Sequence, residues 1–194
     1  MPEETQITFA KHHSRFVVGV LDIVHSTETT VSLDGDAIDH FYTIFLREIS
    51  KVIHTHGAKV IKNVGDGVIF YFPQTAEINE ESFQEVVSCS SALLEARTKL
   101  NSQLTESQLP EISYRVSMSY GQVSAMLDSQ GTIIDLFGAT LNTCDKFNKL
   151  AQPNTAVVGE ALYEKLARYG FKGEKIADFA IGQKMRFGVY QLIA

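Results

Sequence analysis

"VIKNVGDGVIFYF", residues 60–72, decides how this chain folds. Two β-branched and aromatic runs flank Gly65-Asp66-Gly67, whose glycines supply the positive-φ freedom of a tight turn. The stretch reads as a β-hairpin with arms at 58–64 and 67–72. Its arms are apolar enough to be buried, yet the tip carries Asp66 and the first arm carries Lys62.

Working outward toward the N-terminus, Ile38, Phe41, Tyr42, Phe45, Ile49, Val52 and Ile53 recur at helical spacing, and Gly57 closes the pattern. Before them "RFVVGVLDIV" (15–24) is a short β-branched run, a buried strand with Asp22 at its end. Toward the C-terminus, Phe83, Val86, Val87, Leu93, Leu94 and Leu100 mark a second long helix over 80–101, followed by the loop "TESQLPE" (105–111). "ISYRVSMSYGQVSAML" (112–127) alternates as two strands broken at Gly121, and 138–152 reads as a helix. The order predicts an α+β fold: a ferredoxin-like βαββαβ core with a mostly antiparallel sheet and helices on one face. The C-terminal additions are a strand at 155–159, a short helix at 160–169 and a closing strand at 187–193. With no repeat or linker, 1–194 is expected to be a single domain, with 1–14 a poorly ordered N-terminal extension.

Composition narrows the function. The 194 residues are 44% hydrophobic, enough for a sizeable core, and carry a formal net charge of -6. That charge gives no basic footprint, so the expected partner is a small molecule or a protein and not a nucleic acid. No apolar run approaches the roughly 18–20 residues of a membrane span, and the start "MPEETQITFAKHHSRF" has no signal-peptide core, so no membrane segment and a cytoplasmic location are expected. Cys89 and Cys144 sit in apolar helical patterns and read as buried thiols. His12, His13, His54 and His56 lack a matched third ligand and make no zinc pattern.

Three clusters carry candidate chemistry. If the first strand neighbours the hairpin, Asp22 and Asp66 approach at one sheet edge and repel unless a hard cation such as Mg2+ neutralises them. Equally, Asp22 reads as a helix N-cap and Asp66 as an ordinary turn acid. "IVHSTETT" (23–30) puts hydroxyls at a helix start, where free backbone N–H groups favour phosphates and where Ser26 or Thr27 also serves as a cap. In "DLFGATLNTCDKFNKLA" (135–151), Asn142 and Lys146 share one helix face and Leu141, Cys144, Phe147 and Ala151 another. A solvated polar face explains that pair as well as a site does.

The blocks "VLDIVHST" (20–27), "KVIKNVGDGVIFYF" (59–72), "SMSYGQV" (117–123) and "DLFGATLNTCDKF" (135–147) together resemble the class III nucleotide cyclase catalytic domain, the adenylyl and guanylyl cyclase family. The resemblance runs from Phe16 to Ala194 and implies a reaction: attack of the ribose 3′-OH of ATP on the α-phosphorus, giving 3′,5′-cyclic AMP and pyrophosphate. By it, Asp22 and Asp66 fall on the metal-binding aspartates, with the Ile23 carbonyl as an added ligand and two Mg2+ or Mn2+ ions per site. Lys62 and Asp135 fall on the pair that selects adenine, and Ser26 and Thr27 lie in the phosphate loop. Asn142 falls on the asparagine that orients the ribose, and Lys146 on a position where the family normally carries arginine. The resemblance also implies a head-to-tail homodimer, with metals held by one subunit and base and transition-state groups supplied by the other.

Four departures stand out. Lys146 lacks arginine's planar fork; His25 and Met126 occupy positions where glycine is common; Ile181 stands at the triphosphate-binding lysine, with Lys184 nearby. They motivate an alternative, a weak or inactive cyclase-homology module that binds nucleotide or a partner as a regulatory dimer. A third reading is another metal-dependent nucleotidyl enzyme on the same fold.

Overall fold

The computed structural model describes residues 8–10, 13–182 and 185–193. In chain order the elements are β1 (Thr8–Phe9), β2 (Ser14–Ile23), α1 (Ser26–Thr30), α2 (Gly35–Thr55), β3 (Lys59–Val64), β4 (Gly67–Phe72), α3 (Glu80–Glu106), β5 (Tyr114–Leu127), β6 (Ile133–Phe137), α4 (Ala139–Asn148), β7 (Ala156–Gly159), α5 (Glu160–Arg168), β8 (Lys172–Ile181) and β9 (Met185–Ile193). The main path of the sheet runs β3-β4-β2-β5-β7-β9-β8. Its pairings are antiparallel except between β5 and β7. Strands β2, β3, β4 and β5 with helices α2 and α3 form the expected βαββαβ unit, with β4 inserted between β2 and β3.

The apolar run of β2 is continuous because the strand is covered on both faces. Val17 and Leu21 pack in one core with Phe41, Phe45 and Ile49 of α2 and Phe83, Val86 and Leu93 of α3. Phe16, Val18 and Val20 face the other way, into a second core with Leu141, Cys144 and Phe147 of α4. Helix α2 starts where Asp34 Oδ1 accepts the Ala37 N–H at 2.9 Å, and α3 where Asn79 Oδ1 accepts the Ser82 N–H at 2.9 Å. Each such cap is worth about 1 kcal/mol. Both cysteines are free and buried, and burial pushes each thiol up to about 12.

Gly19 shows how tightly the layers meet. A Cβ there would lie 2.2 Å from the Phe70 ring, whose own position is fixed in the core. Gly19→Ala is therefore expected to destabilise the fold by about 1–3 kcal/mol, the usual cost of overpacking. A urea titration with an unchanged midpoint would refute the contact.

Several expectations are corrected. Gly121 does not break a strand: β5 is continuous over Tyr114–Leu127, pairing with β2 up to Val123 and with β6 from Ser124 onward. The glycine is there for space, since a Cβ would stand 2.6 Å from Thr140 Oγ1 of α4. Helix α3 continues to Glu106, through the first part of the expected loop. Strands β6 and β8 lie where no element was read. Within the 1–14 stretch, Thr8 and Phe9 pair with Leu127 and Met126 of β5.

Candidate active site

Asp22 ends the two-sided strand β2, directly across from Gly67 on one side and Arg115 on the other. The hairpin turn uses its two glycines differently. Gly65 alone carries the left-handed backbone, φ 60°. Gly67 supplies room: a Cβ there would stand 3.1 Å from the Leu21 carbonyl and 3.7 Å from Asp22 Oδ1. The turn therefore closes against Asp22 and brings Asp66 beside it. Burial, then the neighbouring Asp66 charge, raises the Asp22 carboxyl above its usual range; Asp145 adds to this, while Arg115 and Lys149 oppose it. The same Asp66 charge, after burial, raises the Tyr42 phenol on α2.

Lys62 is aimed by a bulge in β3, where the register with β4 shifts between Val60 and Lys62. Its Nζ donates to Asp135 Oδ2 at 2.7 Å, a charge-assisted bond across to β6. The other carboxylate oxygen, Oδ1, accepts the Leu136 N–H at 2.8 Å. The Lys62 ammonium also lies 5.6 Å from the centre of the Phe137 ring.

A cavity of about 490 Å3 brings Asp22, Lys62 and Asn142 together, with Gly67, Phe137 and Asp145 also in its wall. Lys146, one turn beyond Asn142 on α4, is exposed outside that wall. Ile23 is buried at the end of β2. Ser26 and Thr27 open α1, but neither caps it, and neither does Asp22: the N-cap is His25, without a side-chain cap bond. His25 has φ 56°, a conformation most side chains resist, which accounts for glycine being easier there. Met126 pairs with Asp135 across β5 and β6. Ile181 ends β8, and Lys184 lies outside the described residues.

Sequence reading missed Arg115, Tyr42, Asp145 and Lys149, the groups whose charge or bulk meets the acid pair. Among the described residues Arg115 Nε is buried without a partner, as is Asn148 Oδ1 near it. Asn148 Nδ2 donates to the Val20 carbonyl and to Ser117 Oγ, both at 3.1 Å, tying the end of α4 to the strands beneath. Only the β2–β5 register, invisible in composition, sets Arg115 opposite Asp22. Among the described residues no three His, Cys, Asp or Glu side chains converge as a metal cage. Two of the histidines have partners away from the acids: His56 Nδ1 lies 2.9 Å from Glu85 Oε2 and His13 Nδ1 3.1 Å from Ser124 Oγ, while His12 lies outside the described residues.

A model of the adenylate and guanylate cyclase catalytic domain matches residues 10–194. The chain belongs to this cyclase family. A curated relative, an adenylate cyclase of Streptomyces coelicolor, is 23% identical over 154 residues, which are 79% of this chain and 35% of that protein. The cyclase domain thus spans about a third of that relative's length. Among solved structures, the adenylyl cyclase CyaB from P. aeruginosa superposes with a TM-score of 0.80 at 18% identity, covering 98% of this chain and 96% of that one. A non-canonical dimeric guanylyl cyclase domain from Blastocladiella emersonii gives 0.77 at 15%, covering 95% and 98%. At these identities the likeness is one of fold, and it extends to cyclases of both base preferences. No helix among the described residues of the cyclase is long and apolar enough to cross a membrane.

Proposed function

We propose that this cyclase domain converts ATP to 3′,5′-cyclic AMP and pyrophosphate at a cleft completed by a second copy of the chain. The observation that carries the reading is the Lys62–Asp135 pair, an ammonium held against a carboxylate at 2.7 Å. Adenine presents an amino donor beside a ring-nitrogen acceptor. A carboxylate beside an ammonium complements that edge, and the lysine has protons enough to hold Asp135 and the ring nitrogen together. Guanine presents the reverse pattern, which sets its carbonyl oxygen against the carboxylate.

Asp22, Asp66 and the Ile23 carbonyl would hold Mg2+ or Mn2+, since a carboxylate whose proton affinity is raised by burial and by a neighbouring carboxylate forms with it a donor set suited to a hard cation. Bound there, the cation supplies charge neutralisation on the phosphates and activation of the attacking oxygen. The protein's own groups do the rest by position and charge. Asn142 holds the ribose for in-line attack, and Lys146 neutralises charge developing at the α-phosphate. Arg115, with a buried N–H free, and Lys149 provide positive charge near the acids, and Ser26 and Thr27 flank the phosphates. A head-to-tail two-fold pairs the acids of one chain with Lys62, Asp135, Asn142 and Lys146 of its partner, twice over.

Turnover of ATP and of GTP with Mn2+ or Mg2+, measured at several protein concentrations, tests this. Cyclic AMP is the expected product, with specific activity rising as protein concentration rises. ATP binding without cyclic AMP, or preferential formation of cyclic GMP, overturns the reading. Lys146, which lacks arginine's planar fork, motivates the alternative of a regulatory module, and one variant separates the two. Lys146→Arg is expected to raise turnover by roughly 10- to 100-fold by restoring a bidentate donor. A zero baseline that the arginine leaves at zero is the signature of the module.

A further inference from the structure

A second cavity of about 310 Å3 lies on the other flank of α4, bounded by β5, the start of α5 and Phe187 of β9. Thr140 and Thr143 of α4 face it, while Leu141, Asn142 and Asp145 of the same helix face the nucleotide cavity. One helix therefore forms a wall of both. Two features of the second cavity bear on what it can hold. Ser119 and Thr143, 9% and 8% exposed, line it, and among the described residues neither hydroxyl has a hydrogen-bond partner. Ser119 Oγ lies 3.5 Å from where a Cβ on Gly159 would stand, so it points toward the cavity's glycine wall.

The second feature is charge. Glu160 and Glu164 line the cavity four residues apart on α5, a like-charged spacing that disfavours a helix. Glu160 is partly compensated, since its Oε2 accepts the Gly188 N–H at 3.2 Å and it sits at the helix N-terminus. Glu164 is exposed and has no ion-pair partner among the described residues. The next residue, Lys165, holds its ammonium over the ring of Tyr120, another wall of the cavity, at 4.6 Å. The cavity wall thus holds carboxylates, hydroxyls and Phe187.

We propose that this cavity binds a small organic ammonium compound, its cation toward Glu164 and its body against Phe187, and that occupancy alters nucleotide binding through α4. The binding site stands on its own geometry; only its effect on the nucleotide rests on the cyclase reading. The probe is phenethylamine, with phenylacetate as the same body carrying the opposite charge. Calorimetric titration of the full chain is expected to give saturable phenethylamine binding with Kd on the order of 1 mM or tighter. Glu164→Gln is expected to weaken it about tenfold or more, as for loss of a charged partner, with Thr143→Ala weakening it less. Equal binding of phenylacetate, unchanged affinity in both variants, or no saturation by roughly 10 mM overturns the site. Matching thermal melts of variants and wild type confirm that the comparison concerns binding. Coupling is read as a change in affinity for a non-hydrolysable ATP analogue, which needs no turnover, so an inactive cyclase leaves the test intact. Amine binding without any such change overturns the coupling.

Discussion

Asp22→Asn is expected to reduce cyclic nucleotide formation by at least about 10²- to 10³-fold, the scale for losing a group that stabilises transition-state charge, while making the metal-free protein more heat-resistant. The two effects have one cause. Burial and Asp66 raise the Asp22 carboxyl, so its ionised form costs the folded state more than the unfolded one. The cost is present in full above the raised pKa, shrinks as pH falls through it, and disappears only below the ordinary aspartate range, at roughly pH 2–3, where the carboxyl is protonated in both states. The asparagine variant should therefore melt higher than wild type at pH 7 to 8, and the gap should narrow steadily as pH falls below the raised pKa. A divalent cation reverses the comparison at neutral pH, because it stabilises wild type by binding the folded state and has less to bind in the variant. Scanning calorimetry with and without Mn2+, beside an activity assay, measures all of this. Retained turnover refutes the metal assignment, and a variant that melts lower without metal at neutral pH refutes the strained acid pair.

The second large effect lies at Lys62 and Asp135. Removing either partner leaves the other unmatched, most severely Asp135, whose side chain is only 14% exposed. Lys62→Ala and Asp135→Ala are each expected to lower kcat/KM for ATP by about 10²- to 10³-fold, below the ceiling for sites that read a hydrogen-bond pattern. The double variant should lose little more than either single one, because the two act as a unit. The ratio of ATP to GTP turnover should fall toward one in all three. Additive losses with an unchanged ratio would show that the pair merely fastens β3 to β6.

The repeating core of this fold was legible because its cause is local. The 60–72 hairpin and the two long helices announce themselves by period, and β2 by an unbroken run that both cores explain. The misreadings share a physical reason as well. Gly121 looks like a break in sequence, but it is a clearance for Thr140, a contact made from another part of the chain. Strands β6 and β8 hold mixed, half-exposed residues with no clean alternation, so their identity comes from pairing with β5 and β9. At the site, the resemblance supplied Asp22, Asp66, Lys62, Asp135 and Asn142, of which Lys62 and Asp135 are in direct contact. Arg115 and Lys149 were missed because they meet Asp22 only through strand register and the end of α4. The positive φ of His25 could not be read either, since only a glycine would have signalled it.

Strand β2 also sets a schedule for biosynthesis. Its core-facing residues need partners on both sides, and Ser117, whose hydroxyl reaches the Val20 carbonyl, lies 97 positions later. At ribosomal rates of about 5–20 residues per second, "FVVGVL" waits on the order of 5–20 s before β5 can pair with it. During that interval it is an apolar, β-prone segment with unpaired edges, the kind that associates with other chains. Arg15 and Asp22 bracket it, one charge at each end, where they act as gatekeepers against such association. The acid that later faces Asp66 in the cleft thus has an earlier task, keeping the nascent strand single until its neighbours arrive.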